Sequence, residues 1–361
     1  MTDFPCNSCG ASLRFTPGAQ SLACPYCGSK NDIPAPAPEA RVEEKDFELE
    51  VEFEGDFDGS YAEVQYQCRS CAASFSISDS VLSGQCGFCQ TPYQRKPEEA
   101  RAILPQALLP FRLDQKAALQ SYRNWISSRW FAPNSLEDLA RVKAQLLGHY
   151  LPHWTIDAEV DTRYTGSRGE HYWDTESYTD SQGNRQTRQV RRTRWYPASG
   201  EVTNSFDDIL IVAAPTDLPR SYARALEPWK LSDLVPYDPS YLAGFTARAH
   251  GLPLPKAFAE ARDLAAATIT ASVKDDIGGD EQIIATQQSR WYDMSCKAIL
   301  LPVWYMNYRH GDKVYKIAVN AITGEVQGER PWSAWKICAA VVFGLIVIAL
   351  VFGGVSMLQQ H

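Results

Sequence analysis

Residues 47–54, "FELEVEFE", alternate strictly, with Phe47, Leu49, Val51 and Phe53 set against Glu48, Glu50, Glu52 and Glu54. A period of two predicts a half-buried strand. "GDFDGS" supplies a turn and Tyr61 to Cys68 a partner strand, so an acidic β-hairpin is expected over 47–68. Further on, Ala117, Ala118, Tyr122, Trp125, Ile126 and Trp130 recur near helical spacing and stop before Pro133. A second helix is expected over 135–148, with Ser135 as N-cap, Asp138 in a capping-box position and Gly148 as C′. The pattern then turns to strands, "YLPHWTIDAEVDTRYTG" and "RQVRRTRWYPASGEVTNSF", with the polar stretch "SRGEHYWDTESYTDSQGN" read as a loop between them. Helical spacing returns in "LPKAFAEARDLAAATITASV". The stretch from Cys296 to Gly328 reads as two hairpins turning at "HGDK" and "ITGE".

The last long run has no polar face at all. Ile337 to Leu358 spans 22 residues without a charge, and thirteen of them are Leu, Ile, Val or Phe. At 1.5 Å per residue a helix of this length covers about 33 Å, enough to cross a bilayer. The thirteen large apolar residues favour insertion by about 4–8 kcal/mol. Trp332, Trp335 and Lys336 stand where a membrane-interface belt belongs. Arg330 and Lys336 precede the span and only "QQH" follows it. The positive-inside rule therefore predicts a tail-anchored, single-pass protein of the cell membrane, its N-terminal bulk in the cytoplasm and its C-terminus outside.

Cysteine spacing changes the picture at the other end. Cys6, Cys9, Cys24 and Cys27 form two C-x2-C pairs, and Cys68, Cys71, Cys86 and Cys89 repeat the spacing 62 positions later. Each pair makes a tight knuckle, and two knuckles converge on four thiolates, the donor set of a structural zinc ribbon. Two zinc ions are expected. The alternatives are disulfide-stapled loops, which need an oxidising compartment, and a rubredoxin-like iron site. "MTDFPCNSC" carries no apolar core of a signal peptide, which favours the reduced reading.

The expected organisation is multidomain α+β: a first ribbon (1–30), a Pro- and Ala-rich linker (31–46), the acidic hairpin with the second ribbon (47–96), a β-rich α+β body (101–330) and the transmembrane helix (337–358). Leu151-Pro152-x-Trp154 and Leu301-Pro302-x-Trp304 repeat one signature. The repeat raises two related halves of the body, roughly 105–250 and 252–330, against coincidence between short motifs.

Charge and chemistry narrow the function. The 361 residues carry a net charge of −8, against a chain whose whole surface binds nucleic acid. Residues 31–66 hold twelve acidic and two basic side chains, which repel phosphate beside the second ribbon. No nucleophile elbow, Walker loop, dinucleotide fingerprint or H-E-x-x-H is present, so an enzyme is not expected. His149 and His153 read as residues at a strand entrance, Cys296 as a buried thiol, and Asp275 and Asp276 as loop carboxylates. Arg185, Arg188, Arg191, Arg192 and Arg194 crowd ten positions. They are read as ion-pair partners of the acidic stretch 46–58 or of neighbouring Asp and Glu, as a lipid headgroup contact beneath the anchor, or as a nucleic-acid contact. Two closed metal sites on a tethered body fit a bivalent docking head for protein partners.

The paired C-x2-C units, "WFAPNSL", "LLGHYLPHWTIDAEVDTRYTGSRG", "LLPVW" and "VNAITGEVQGERPWS" together resemble a bacterial family of membrane-anchored zinc-ribbon proteins. Its members often carry a primosomal or replication-restart helicase-like label because of the ribbons, but nothing in this chain resembles a helicase motor. Some relatives accompany SPFH-domain and phage-shock-type membrane-stress proteins. The resemblance implies a membrane adaptor or scaffold, with such proteins as partners. The doubled ribbon departs from members with one. The second functional expectation is a membrane-associated nucleic-acid-binding protein using the ribbons and the arginines.

Overall fold

In both ribbons the first C-x2-C turn leads into three short strands. The computed structural model describes residues 4–19, 21–34, 42–55, 57–89, 91–95, 103–133, 146–179, 181–213, 219–310 and 312–358. The first ribbon holds β1 (Arg14–Phe15), β2 (Ser21–Ala23) and β3 (Lys30–Asp32) in one antiparallel sheet. After β4 (Lys45–Asp46) and α1 (Phe47–Glu54), β5 (Glu63–Gln67) pairs with β6 (Ser74–Ser78), and β7 (Val81–Gln85) pairs with β8 (Pro92–Gln94). The repeat is geometric as well as textual. Cys6 N–H donates to Ala11 O at 2.7 Å and Cys68 N–H to Ala73 O at 2.8 Å; Cys24 to Ser29 and Cys86 to Thr91 are both 2.9 Å.

Helix α1 replaces the expected acidic strand. The sequence alternates, but the Asp46 side chain accepts from Leu49 N–H at 3.0 Å and caps a helix. In that helix Phe47, Glu50, Val51 and Glu54 face inward, while Leu49 and Phe53 face water. Lys45 pairs with buried Glu50 at 2.8 Å. Phe47 meets Phe258 at a ring distance of 5.0 Å. The partner expected for this strand, β5, pairs with β6 of the second ribbon instead.

The body contains β9 (Ala107–Leu108), α2 (Gln115–Ser127), β10 (Leu147–Thr179), β11 (Arg185–Val212), α3 (Arg220–Ala225), β12 (Val235–Pro236), β13 (Thr246–Arg248), α4 (Leu254–Ile277), β14 (Glu281–His310), β15 (Lys313–Asn320) and β16 (Val326–Gly328). The two Leu-Pro-x-Trp copies lie side by side: β10 and β14 are antiparallel neighbours, with Leu151 opposite Leu301. A local two-fold axis at that pair relates β9-α2-β10-β11 to β13-α4-β14-β15. Trp154 faces Ile211 as Trp304 faces Val319, and Tyr150 faces Ala247 as Leu300 faces Leu108. Ala213 N–H donates to Pro152 O as Ala321 N–H does to Pro302 O. Each indole crosses the axis: Trp154 Nε1 donates to Leu252 O at 2.9 Å, just before α4, and Trp304 Nε1 to Leu113 O at 2.8 Å, just before α2. In this matched pairing β13 (Thr246–Arg248) takes the place beside β10 that β9 takes beside β14.

Two further expectations change. Residues 134–145, most of the helix expected over 135–148, lie outside the described residues. Gly148 is not a helix C′ but part of β10, where a Cβ would collide with the Phe245 ring. The polar loop after Gly166 is strand as far as Thr179, because its side chains pair across to β11. Beyond Gly169, where β14 begins, β10 and β11 continue as a two-stranded arm.

Helix α4 lies along the long strands through Leu254, Ala257, Ala261, Ala265, Ile269, Val273 and Ile277. Pro253 at its N-cap offers no side-chain acceptor; Glu54 supplies one, accepting from Leu254 N–H at 2.8 Å. Burial, with Glu50 nearby, pushes the Glu54 carboxyl from its ordinary value of 4.5 up to about 7. A raised folded pKa gives stability that is full below about pH 4.5 and is lost as pH rises through 7. Glu54→Gln keeps an acceptor and removes that loss. Its melting temperature should match wild type at pH 4 and exceed it at pH 8 by the equivalent of about 1 kcal/mol, once partial exposure is discounted.

The chain closes in α5 (Ala334–Leu358), a 25-residue helix. Among the described residues no helix is long and apolar enough to cross a membrane. The side chains of α5 are described only as far as Ile348; Val341, Val342, Phe343, Leu345, Ile346 and Ile348 are exposed.

Candidate metal centres

Each C-x2-C turn carries its sulfurs toward those of its partner turn. In the first site Cys6 and Cys27 Sγ are 3.5 Å apart, as are Cys9 and Cys24. In the second, Cys68 and Cys89 are 3.6 Å apart and Cys71 and Cys86 3.8 Å. A tetrahedral ion with metal–sulfur bonds of about 2.3 Å separates its thiolates by ~3.8 Å, whereas a disulfide would bring them to about 2.0 Å. All eight cysteines are free thiols, and each group of four gathers within 4.8 Å. The chain thus has two four-cysteine sites able to hold a metal ion. Four thiolates close the coordination shell and leave no position for a substrate.

Local hydrogen bonding prepares the sulfurs. The Ser29 hydroxyl holds the Cys27 thiol down at about 6, and Thr91 does the same for Cys89. The Ala11 N–H pulls Cys9 downward, but the neighbouring Cys27 and Cys24 sulfurs prevail and push it up to about 12. Cys71 is likewise raised to about 12 against the pull of Ala73 N–H. Metal binding must therefore release protons, and should weaken as pH falls. One difference separates the sites. The residue after the first knuckle has positive φ in both, glycine in the first (Gly10, +75°) and alanine in the second (Ala72, +58°). Ala72→Gly relieves a left-handed alanine worth about 1–2 kcal/mol, part of it offset by glycine's greater chain entropy. The second site should then yield its metal to a chelator more slowly.

Both ribbons are clamped onto one segment of the body, 239–248. Phe15 N–H of the first donates to Ala243 O at 2.9 Å, and its ring packs on Tyr241 at 5.3 Å. The second continues the body sheet, with Ser83 of β7 opposite Ala247 of β13. Ser83 Oγ donates to Phe245 O at 2.9 Å, and Gln94 Nε2 to Pro239 O at 3.0 Å. At equivalent positions before the last cysteine, Tyr26 and Phe88 are 83% and 71% exposed. Sequence reading missed this pair, although Tyr26 and Phe88 stand 62 apart, the interval of the repeat.

The other singled-out residues do not gather into a site. Strand alternation sends Arg188, Arg192 and Arg194 to one face of the arm and Arg185 and Arg191 to the other. Arg188 pairs with Glu176 at 2.8 Å, Arg192 with Asp174 at 3.1 Å, and Arg194 covers the Tyr172 ring. His149 and His153 lie in β10, and burial lowers each to about 4. Cys296 is buried in β14 and raised to about 12. Asp276 accepts from the Tyr164 hydroxyl. Asp157, Asp207 and Asp208 come together, but Lys297 Nζ already sits 3.0 Å from Asp208 and 3.0 Å from Glu44. Trp332, just before α5, and Trp335, in its first turn, are exposed, and Lys336 Nζ donates to Ala132 O at 2.8 Å.

No family model matches the chain, and no solved structure matches it. It is similar to a protein of Bacillus subtilis (strain 168) named "Uncharacterized protein YdjG", 22% identical over 368 residues that cover 98% of this chain and 99% of that protein.

Proposed function

We propose that the chain is a membrane-tethered scaffold whose two zinc ribbons present a rigid docking surface to protein partners. In this reading zinc fills both four-cysteine sites, and 337–358 is a single transmembrane span that leaves the bulk of the chain in the cytoplasm. The span rests on the uncharged apolar run, the exposed apolar side chains of α5 and the flanking Trp332, Trp335 and Lys336.

The observation that carries the docking role is the matched exposure of Tyr26 and Phe88. A large aromatic ring held in water on a metal-fixed turn is the kind of anchor that dominates protein interfaces. Two such anchors on one clamped body fit a repetitive or oligomeric partner. The resemblance to membrane-anchored zinc-ribbon proteins directs the search to SPFH-domain and phage-shock-type proteins. A nucleic-acid surface has less support, since the five arginines divide between two faces and three have partners within the arm.

The test is the full chain purified from solubilised membranes, wild type against Tyr26→Ala/Phe88→Ala. Both should bind two zinc ions. The variant should lose its stoichiometric partner, each ring being worth about 2 kcal/mol or more. Undiminished partner binding would move recruitment to the body, and salt-sensitive nucleic acid in its place would favour the second reading.

A further inference from the structure

The two-stranded arm beyond Gly169 has two unlike faces. Arg188, Arg192 and Arg194 meet Glu176, Asp174 and the Tyr172 ring on one of them. On the other, Trp173 stands directly opposite Arg191 and is 67% exposed. Cross-strand partners hold their Cβ atoms about 5 Å apart, so an indole and a guanidinium share one patch. Glu281 at the root of the arm acts on Arg191 through its charge, yet Arg191 is exposed. A patch of opposite charge lies on α1. Leu49 and Phe53, one helical turn apart, form an apolar ridge 67% and 79% exposed. Glu48 and Glu52 are exposed alongside it. Lys45 lies over the Phe53 ring at 5.8 Å and pairs with Glu50, leaving both of these carboxylates outward.

A single chain does not bring its own two patches together. Helix α1 meets the first turns of α4, through Glu54 on Leu254 and Phe47 on Phe258. The arm starts at the other end of α4, where Asp280 N–H donates to Gly169 O at 2.8 Å. The 24 residues of α4 put about 36 Å between these points, and the arm runs on as strand past the helix end. We infer that two copies of the chain pair through these patches. Trp173 of each copy lies on the Leu49–Phe53 ridge of the other, and Arg191 reaches Glu48 and Glu52. The indole supplies apolar area and the guanidinium a charge-assisted hydrogen bond, the combination that anchors protein interfaces. A two-fold axis engages both arms at once and closes the assembly at two chains. The pairing needs only the arm and α1, so it stands or falls apart from the membrane reading.

The experiment is sedimentation equilibrium of the full chain in density-matched detergent, which yields the dissociation constant of the dimer. Trp173→Ala should raise that constant about thirtyfold, the loss expected for an interface anchor. Arg191→Glu should raise it at least tenfold by setting like charges together. Combining Arg191→Glu with Glu48→Arg/Glu52→Arg should restore the dimer, a recovery that a misfolded variant would not show. A photoreactive benzoylphenylalanine in place of Trp173 should attach to 48–53 of a differently mass-labelled chain. A chain that stays monomeric at every concentration overturns the inference. So does a dimer unmoved by either substitution, which would belong to another surface such as α5. Attachment of the photoreactive group within its own chain, or to bound nucleic acid, overturns it as well.

Discussion

Cys86→Ser will remove one of the two metal ions that the four-cysteine sites can hold and unfold more than the ribbon that contains it. Hydrogen exchange should become fast across 57–95 and also rise sharply at 245–249, while the first ribbon keeps its metal. The buried core of the second ribbon amounts to Tyr66, Ile77, Val81 and Tyr93 with Cys68 and Cys86 themselves. So small a core does not stand without the ion, whose binding energy, about 10–16 kcal/mol in comparable units, is the folding energy. The reach into the body follows from the sheet. β13 is three residues long, paired with β10 on one side and β7 on the other. Loss of β7 leaves β13 an edge and strips Phe245 O and Pro239 O of their side-chain donors. Exchange confined to 57–95, with 245–249 unmoved, would show that the ribbon merely rests on the body.

The same clamp marks the limit of what the sequence reveals. The C-x2-C pairs were legible because a knuckle is a local structure and its spacing fixes its geometry. Helix α4 was legible because Ala257, Ala261, Ala265, Ile269, Val273 and Ile277 recur every four residues. Residues 47–54 were not, since strict alternation describes a strand equally well; Asp46 as cap and the packing of Phe47 on Phe258 decide for a helix. The arm was hidden because its strands carry polar side chains whose partners, such as Glu176 for Arg188, lie across the turn. The doubled Leu-Pro-x-Trp could be read from the chain, but only the register places the two copies against each other. That both ribbons converge on 239–248 has no signature at all, being a meeting of segments about 145 or more residues apart.

Trp154→Ala and Trp304→Ala provide the second large effect, and they test the internal symmetry. Trp154 is wholly buried against Leu254, Ala257 and Ala298, and Trp304 packs among Phe111 and Phe245. Emptying either volume should cost about 3–5 kcal/mol, read as a lowered unfolding midpoint. Each change also strips a side-chain donor from a carbonyl at the start of the opposite half's helix, Leu252 O for Trp154 and Leu113 O for Trp304. The phenylalanine variants separate the two contributions. They retain most of the ring volume and lose only the indole N–H, so each should cost about 1–3 kcal/mol. Metal content should be unchanged in both phenylalanine variants, because the indole N–H groups they remove bond to Leu252 O and Leu113 O and not to a ribbon cysteine. Equal penalties for Trp154→Phe and Trp304→Phe would follow from one geometry used twice. If one phenylalanine variant were neutral while the other was damaging, the crossed indoles would not be equivalent, and the repeat would be a likeness of backbone without a likeness of energetics.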